Sequence, residues 1–187
     1  MSAQVHFVTT GPATYADLEA APAGYTAELV GGRLHALPRP KGRHIHSASV
    51  LGRRLGGPFE DGTGGPGGWW ILDEPEIHWE LNQVVTVPDL AGWRRDRLPE
   101  MPDDQRFTVI PDWLCEILSP ATQDYDRNEK LPLYARYGVP FVWLVDPDAR
   151  WLEALQREGG AYRPVGRFGP GEAISAPPFE AVAFHLF

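Results

Sequence analysis

The chain has 187 residues, 43% of them hydrophobic, enough for one domain with a buried core. Its formal net charge of -8 excludes a generic nucleic-acid coat, so any contact with nucleic acid has to be local. The single cysteine, Cys115, excludes an intrachain disulfide and a zinc site built on several thiolates.

No run of eighteen apolar residues exists, and the start of the chain has no basic stretch leading into an apolar one. A single domain over residues 1–187, cytoplasmic and without a membrane span, is therefore expected. Next, TYADLEAAPAGY offers Thr14 as a start signal with Asp17 three residues on, which predicts a short helix ending near Pro22. YTAELVGGRLHAL holds two alternating runs split by Gly31-Gly32 and predicts a β-hairpin with Glu28 on its first strand. From Arg43 to Leu55, Ala48, Leu51 and Leu55 recur at helical spacing, with His44 one turn before Ala48. GGPFEDGTGGPGG packs seven glycines and two prolines into thirteen residues and reads as a surface loop.

WWILDEPEIHWEL, with a turn near Pro75, and QVVTVPDLAGW read as neighbouring strands. After the polar loop RRDRLPEMPDDQ come a strand in DWLCEIL, a helix over 126–137 stopped by Gly138, and a strand in FVWLV. WLEALQ and YRPVGRF suggest an edge hairpin, and FEAVAFHLF a tail folded back on the core. The central order of strand, strand, helix, strand predicts an α/β sheet with a crossover through the helix.

Two acids sit oddly in this pattern. Alternation in DWLCEIL places Trp113, Cys115 and Ile117 on one face and Leu114, Glu116 and Leu118 on the other, so both faces are apolar. An unpaired buried carboxylate costs several kcal/mol, so Glu116 needs a partner or a cleft. Asp89 likewise follows a β-branched run and an X-Pro step. If the strands are neighbours, the two carboxylates can converge on a hard cation, with Mg²⁺ the natural candidate. The plainer readings are an edge glutamate facing solvent or paired to arginine, and a turn or cap aspartate. Cys115, between Leu114 and Glu116, reads as a small core side chain.

Asp126 and Glu129 form a capping-box pattern, and Pro132 restricts a regular helix before it, which puts Lys130 near a helix start. Lys130 is one of only two lysines against fifteen arginines. Its plainer reading is an exposed charge on a solvated turn. Arg39, Lys41, Arg43, Arg53 and Arg54 form one acid-free basic stretch and Arg94, Arg95 and Arg97 another, two local patches for a phosphate backbone. Trp69 and Trp70 read as core in preference to base-stacking residues.

ELVGGRL, VPDLAGW, PDWLCEILSPAT and DYDRNEKLPLYARYGVPFVWLVDP together resemble the Uma2-type restriction-endonuclease-like family within the PD-(D/E)xK nuclease superfamily. The resemblance implies a mixed sheet flanked by helices, preceded by the N-terminal β-hairpin, with a metal site on two central strands. Asp89 would be the first acid and Glu116 the second, both ligating Mg²⁺, with Mn²⁺ able to replace it. The superfamily's usual lysine position falls on Leu118, and Lys130 resembles the migrated substitute. Glu28 and His44 also fall on positions where the family carries these residue types, as a further acid and as a group positioning substrate or water. Their structural readings are a paired hairpin carboxylate and a helix-start residue bonded to backbone. The implied activity is metal-dependent hydrolysis of phosphodiesters, with DNA as partner and RNA or a nucleotide as a weaker option. The alternative is a nuclease fold kept as a binding or regulatory module. Two-strand cleavage asks for two sites, so a homodimer is expected.

Overall fold

The computed structural model describes residues 6–187. Thr14 caps α1, Tyr15–Glu19, through a reciprocal capping box with Asp17. Around it lie β1, Phe7–Val8, and the hairpin of β2, Tyr25–Val30, with β3, Arg33–Pro38. Gly31 and Gly32 both take positive φ, 59° and 71°, as a tight two-residue hairpin turn requires. The first helical face then forms α2, Gly42–Leu55, which buries Leu51 and Leu55.

The glycine-rich stretch departs from the expected loop. Its first five residues, Gly56–Glu60, extend α2 by one π-helical turn that buries Phe59, and irregular chain begins only afterwards. Burial of Phe59 against the core outweighs the low helix propensity of the glycines.

Five strands follow: β4, Trp69–Asp73; β5, Glu76–Glu80; β6, Val84–Thr86; β7, Leu90–Arg94; and β8, Arg106–Phe107. Next come β9, Trp113–Ile117, the short helix α3, Gln123–Tyr125, and α4, Leu131–Tyr137, ended by Gly138 at φ 88°. The chain closes with β10, Phe141–Asp146, β11, Trp151–Glu158, and β12, Ala161–Phe168.

The described strands form two six-stranded mixed sheets, ordered β1-β3-β2-β6-β5-β8 and β12-β11-β10-β9-β7-β4. The strands read as neighbours on either side of Pro75 divide between them: β4 pairs with β7, while β5 pairs with β6. In the second sheet β9 and β10 are parallel, joined through the helical segment as the strand-helix-strand order predicts. Trp113, Cys115 and Ile117 pack on one face with α2 and the tail residues Phe179 and Phe184. Leu114 and Leu118 pack on the other with Tyr134 of α4 and Ile77 and Trp79 of β5. The strand alternation is thus as read from the sequence, and the site forms where the two sheets and this helical segment meet.

Between α3 and α4 the helix widens into a second π turn, Asp126–Lys130, in which the Leu131 N–H bonds to the Asp126 carbonyl. Asp126 therefore does not cap a helix start as its spacing with Glu129 suggests; it is 4% exposed inside the helical segment. Pro132 supplies the reason, because it has no N–H for the regular ladder and its ring crowds the preceding turn.

Candidate active site

Asp89 sits immediately before β7. The β7–β9 register pairs Leu90 with Cys115, so continuing it by one residue brings Asp89 opposite Glu116. Asp89 Oδ2 accepts the Ile117 N–H at 2.6 Å, and its Oδ1 lies 3.3 Å from His44 Nε2. His44 enters from the first turn of α2. The carboxylates of Glu28 and Asp89 lie close enough to Glu116 and Asp126 to push both of those carboxyls upward.

Lys130 is 2% exposed, so it is not the solvated turn charge of the plainer reading. Its Nζ lies 2.9 Å from Glu116 Oε1, 3.0 Å from Glu28 Oε1 and 3.8 Å from Asp126 Oδ1. Tyr134, one turn further along, donates its hydroxyl to the same Glu116 oxygen. Glu28 Oε1 also accepts the Val87 N–H at 2.7 Å, which ties β2 to the segment carrying Asp89.

Asp89, Glu116, Lys130, His44 and Asp126 line one cleft of about 910 Å³, walled further by Arg39, Lys41, Arg43 and the 117–122 turn. Glu28 is wholly buried beneath it and touches the cleft through Lys130. The first basic patch divides: Arg39, Lys41 and Arg43 stand at the cleft, while Arg53 and Arg54 lie in the last turn of α2. The second patch is spent on structure. Arg95 stacks 3.9 Å above the Trp70 ring and bonds the Trp69 carbonyl, and Arg97 pairs with Asp112 at 2.6 Å. Trp69 is core and Trp70 half-buried. His46 is exposed.

Burial pushes the Glu116 carboxyl well above its ordinary range, with Asp126, Asp89 and Glu28 adding to the rise and Lys130 opposing it. Burial likewise raises Asp126 to about 7. For Lys130 burial acts downward, but the carboxylates of Glu116 and Glu28 outweigh it and hold the ammonium charged. His44 is also drawn down by burial, and the hydrogen bond and charge of Asp89 reverse this to a net rise. The cluster carries more acid than its one lysine can balance.

That excess of carboxyl oxygens suits a hard divalent cation, which Asp89 and Glu116, opposite one another in the continued β7–β9 register, could hold. Among the described residues no three His, Cys, Asp or Glu side chains form a ligand cluster, so water or phosphate oxygens would have to complete the coordination. Sequence reasoning did not include Tyr134 or Asp126 in the site. The signal was there: 126, 130 and 134 recur every four residues, one stripe of a helical segment.

Two mixed sheets flanked by helices, with the hairpin of β2 and β3 ahead of them, are the architecture of a restriction-endonuclease-like fold. Family comparison agrees, matching residues 12–186 to Uma2, described as "Putative restriction endonuclease". The chain belongs to the Uma2 family. Its fold is similar to a crystal structure from Anabaena variabilis described as "a putative nuclease belonging to DUF820", with TM-score 0.74, 20% identity, and coverage of 94% of this chain and 96% of that one. A comparison with curated proteins found no match.

Proposed function

We propose that the chain is a metal-dependent nuclease that hydrolyses phosphodiester bonds of DNA. The observation that carries this reading is the opening of Asp89, Glu116 and Lys130 onto one cleft, with Arg39, Lys41 and Arg43 around it. Asp89 and Glu116 would hold Mg²⁺, or Mn²⁺ in its place, and the ion would supply electrostatic stabilisation of the phosphate. Lys130 directs its ammonium at the Glu116 oxygen, where it can orient a water and balance charge growing on phosphorus-bound oxygens. His44 holds Asp89 and can position the substrate. Glu28 fixes Lys130 from below and, through Val87, the segment before Asp89.

Purified protein with Mg²⁺ or Mn²⁺ should cut DNA, and Asp89→Asn and Lys130→Ala should each reduce cutting by at least about a hundredfold, as loss of one preorganised electrostatic group does. Equal cutting by wild type and both variants would mark a contaminant. A homodimer belongs to this reading where both strands are cut, and light scattering in solution tests it.

One observation favours a second reading, a nuclease fold serving as a binding or regulatory module. Lys130 is locked between two carboxylates, and Arg39 and Arg43 are already paired, with Glu74 at 3.1 Å and Asp148 at 2.8 Å. Salt-dependent DNA binding without cleavage at any metal concentration would decide for it.

A further inference from the structure

A second groove, of about 540 Å³, begins where the main cleft ends. Arg39, Pro40, His44, Glu74 and Asp89 line both. One wall is a face of α2, where His44, Ala48 and Gly52 follow at four-residue spacing with Ile45 and Ser49 beside them. The other is β4, whose Ile71 and Asp73 point to the same side of the strand, and Leu90 contributes to the lining.

Three properties decide what such a groove would take. Ile45 is 49% exposed, and with Ala48, Ile71 and Leu90 it provides an apolar surface. A side chain begun at Gly52 would approach Leu90 at 3.7 Å, so the missing Cβ leaves the groove wider there. The lining also carries Asp73, Glu74 and Asp89 against one arginine, Arg39. Glu74 is paired with Arg39 and Asp89 faces His44, which leaves Asp73 and an apolar wall with no unpaired cation among the described residues, so the duplex exterior is a poor occupant. A heteroaromatic ring with N–H groups on its edge is a good one: its faces meet the apolar wall and its donors meet Asp73. In a duplex the ring faces are stacked and the Watson–Crick edge is paired, so a base can present both to the groove only from an unpaired strand.

We propose that this groove is a nucleobase subsite that takes the base adjoining the scissile phosphate from an unpaired strand, which makes single-stranded or locally melted DNA the substrate class. The proposal rests on the nuclease reading for the position of the phosphate. The groove itself stands on the lining of α2 and β4.

The test is fluorescence anisotropy with a labelled 20-nucleotide single strand and with the same strand in duplex, using Ca²⁺ in place of Mg²⁺ to limit cleavage. The single strand should bind at least tenfold more tightly than the duplex. Ser49→Trp, from an exposed position, fills the groove, and Ile45→Glu adds a further negative charge. Each should weaken single-strand binding at least tenfold while the thermal midpoint stays unchanged. Asp73→Asn should alter the ranking among dA, dC, dG and dT homopolymers. Duplex binding as tight as single-strand binding, or folded groove variants that bind the single strand like wild type, would overturn the subsite. A separate Mn²⁺ cleavage assay distinguishes the two claims: groove-dependent single-strand binding without cleavage sinks the nuclease reading and keeps the subsite. Cleavage of duplex untouched by the groove variants does the reverse.

Discussion

Lys130 is an ammonium out of water, held by Glu28 and Glu116. Removing one member of a buried charge pair strands the others, at a cost of about 3–5 kcal/mol. Lys130→Ala should therefore lower stability by that order in urea unfolding. Tyr134→Phe keeps the packing and deletes one hydroxyl donor to a carboxylate, for which a loss of about 1.5–3 kcal/mol is expected in the same measurement. At this scale the sequence was informative about residue type and silent about distance. The carboxylate of Glu116 inside an apolar strand announces a partner, and the scarcity of lysine draws the eye to position 130. That Glu28 lies below Lys130 depends on how β2 meets the helical segment, a long-range contact that spacing does not encode.

Helices and strands were legible wherever local chemistry agreed with the final packing. Thr14 with Asp17 forms the α1 cap, Gly31-Gly32 forms the hairpin turn, and Gly138 ends α4, each for a reason contained in a few residues. Gly138→Ala, forced to keep φ near 88°, should cost about 1–2 kcal/mol, readable as a lower thermal midpoint. The two π turns were not legible, since a five-residue hydrogen-bond step has no period of its own in the sequence. Both occur near a proline, Pro58 within the first and Pro132 just past the second. On the sheet, Gly92 of β7 leaves room for Trp113: a Cβ there would come within 3.2 Å of that indole. Gly92→Val should disrupt the pairing that sets Asp89 against Glu116, and fluorescence of the buried tryptophans would report it. The far edge of the same sheet, β12, carries Pro164 and the charges of Arg163 and Arg167, which discourage pairing with another chain.

The whole molecule divides its strands between two sheets, and that division was not readable from the sequence, because β4 and β5 share one aromatic-rich stretch yet go separate ways. Their separation brings β2 and β6 up to the acids of the second sheet, and the crowding has a pH signature. Asp126 rises from an ordinary 3.8 to about 7 on folding. A carboxyl whose pKa is raised holds its proton more tightly in the native state, so its contribution is full below pH 3.8 and is lost as pH rises through about 7. Metal-free wild type should lose thermal stability over that window relative to Asp126→Asn, and added Mg²⁺ should restore more of it at about pH 8 than at about pH 5. No helix among the described residues is long and apolar enough to cross a membrane. Cys115, fully enclosed and paired across the ladder with Leu90 on one side and Trp143 on the other, has its thiol pushed well up by burial. Its sulfur faces α2 and the tail, so a maleimide can reach it only when that layer lifts from the sheet; the rate of labelling of the native chain times this opening, and a cysteine placed at an exposed position can be tagged selectively while the native one stays silent.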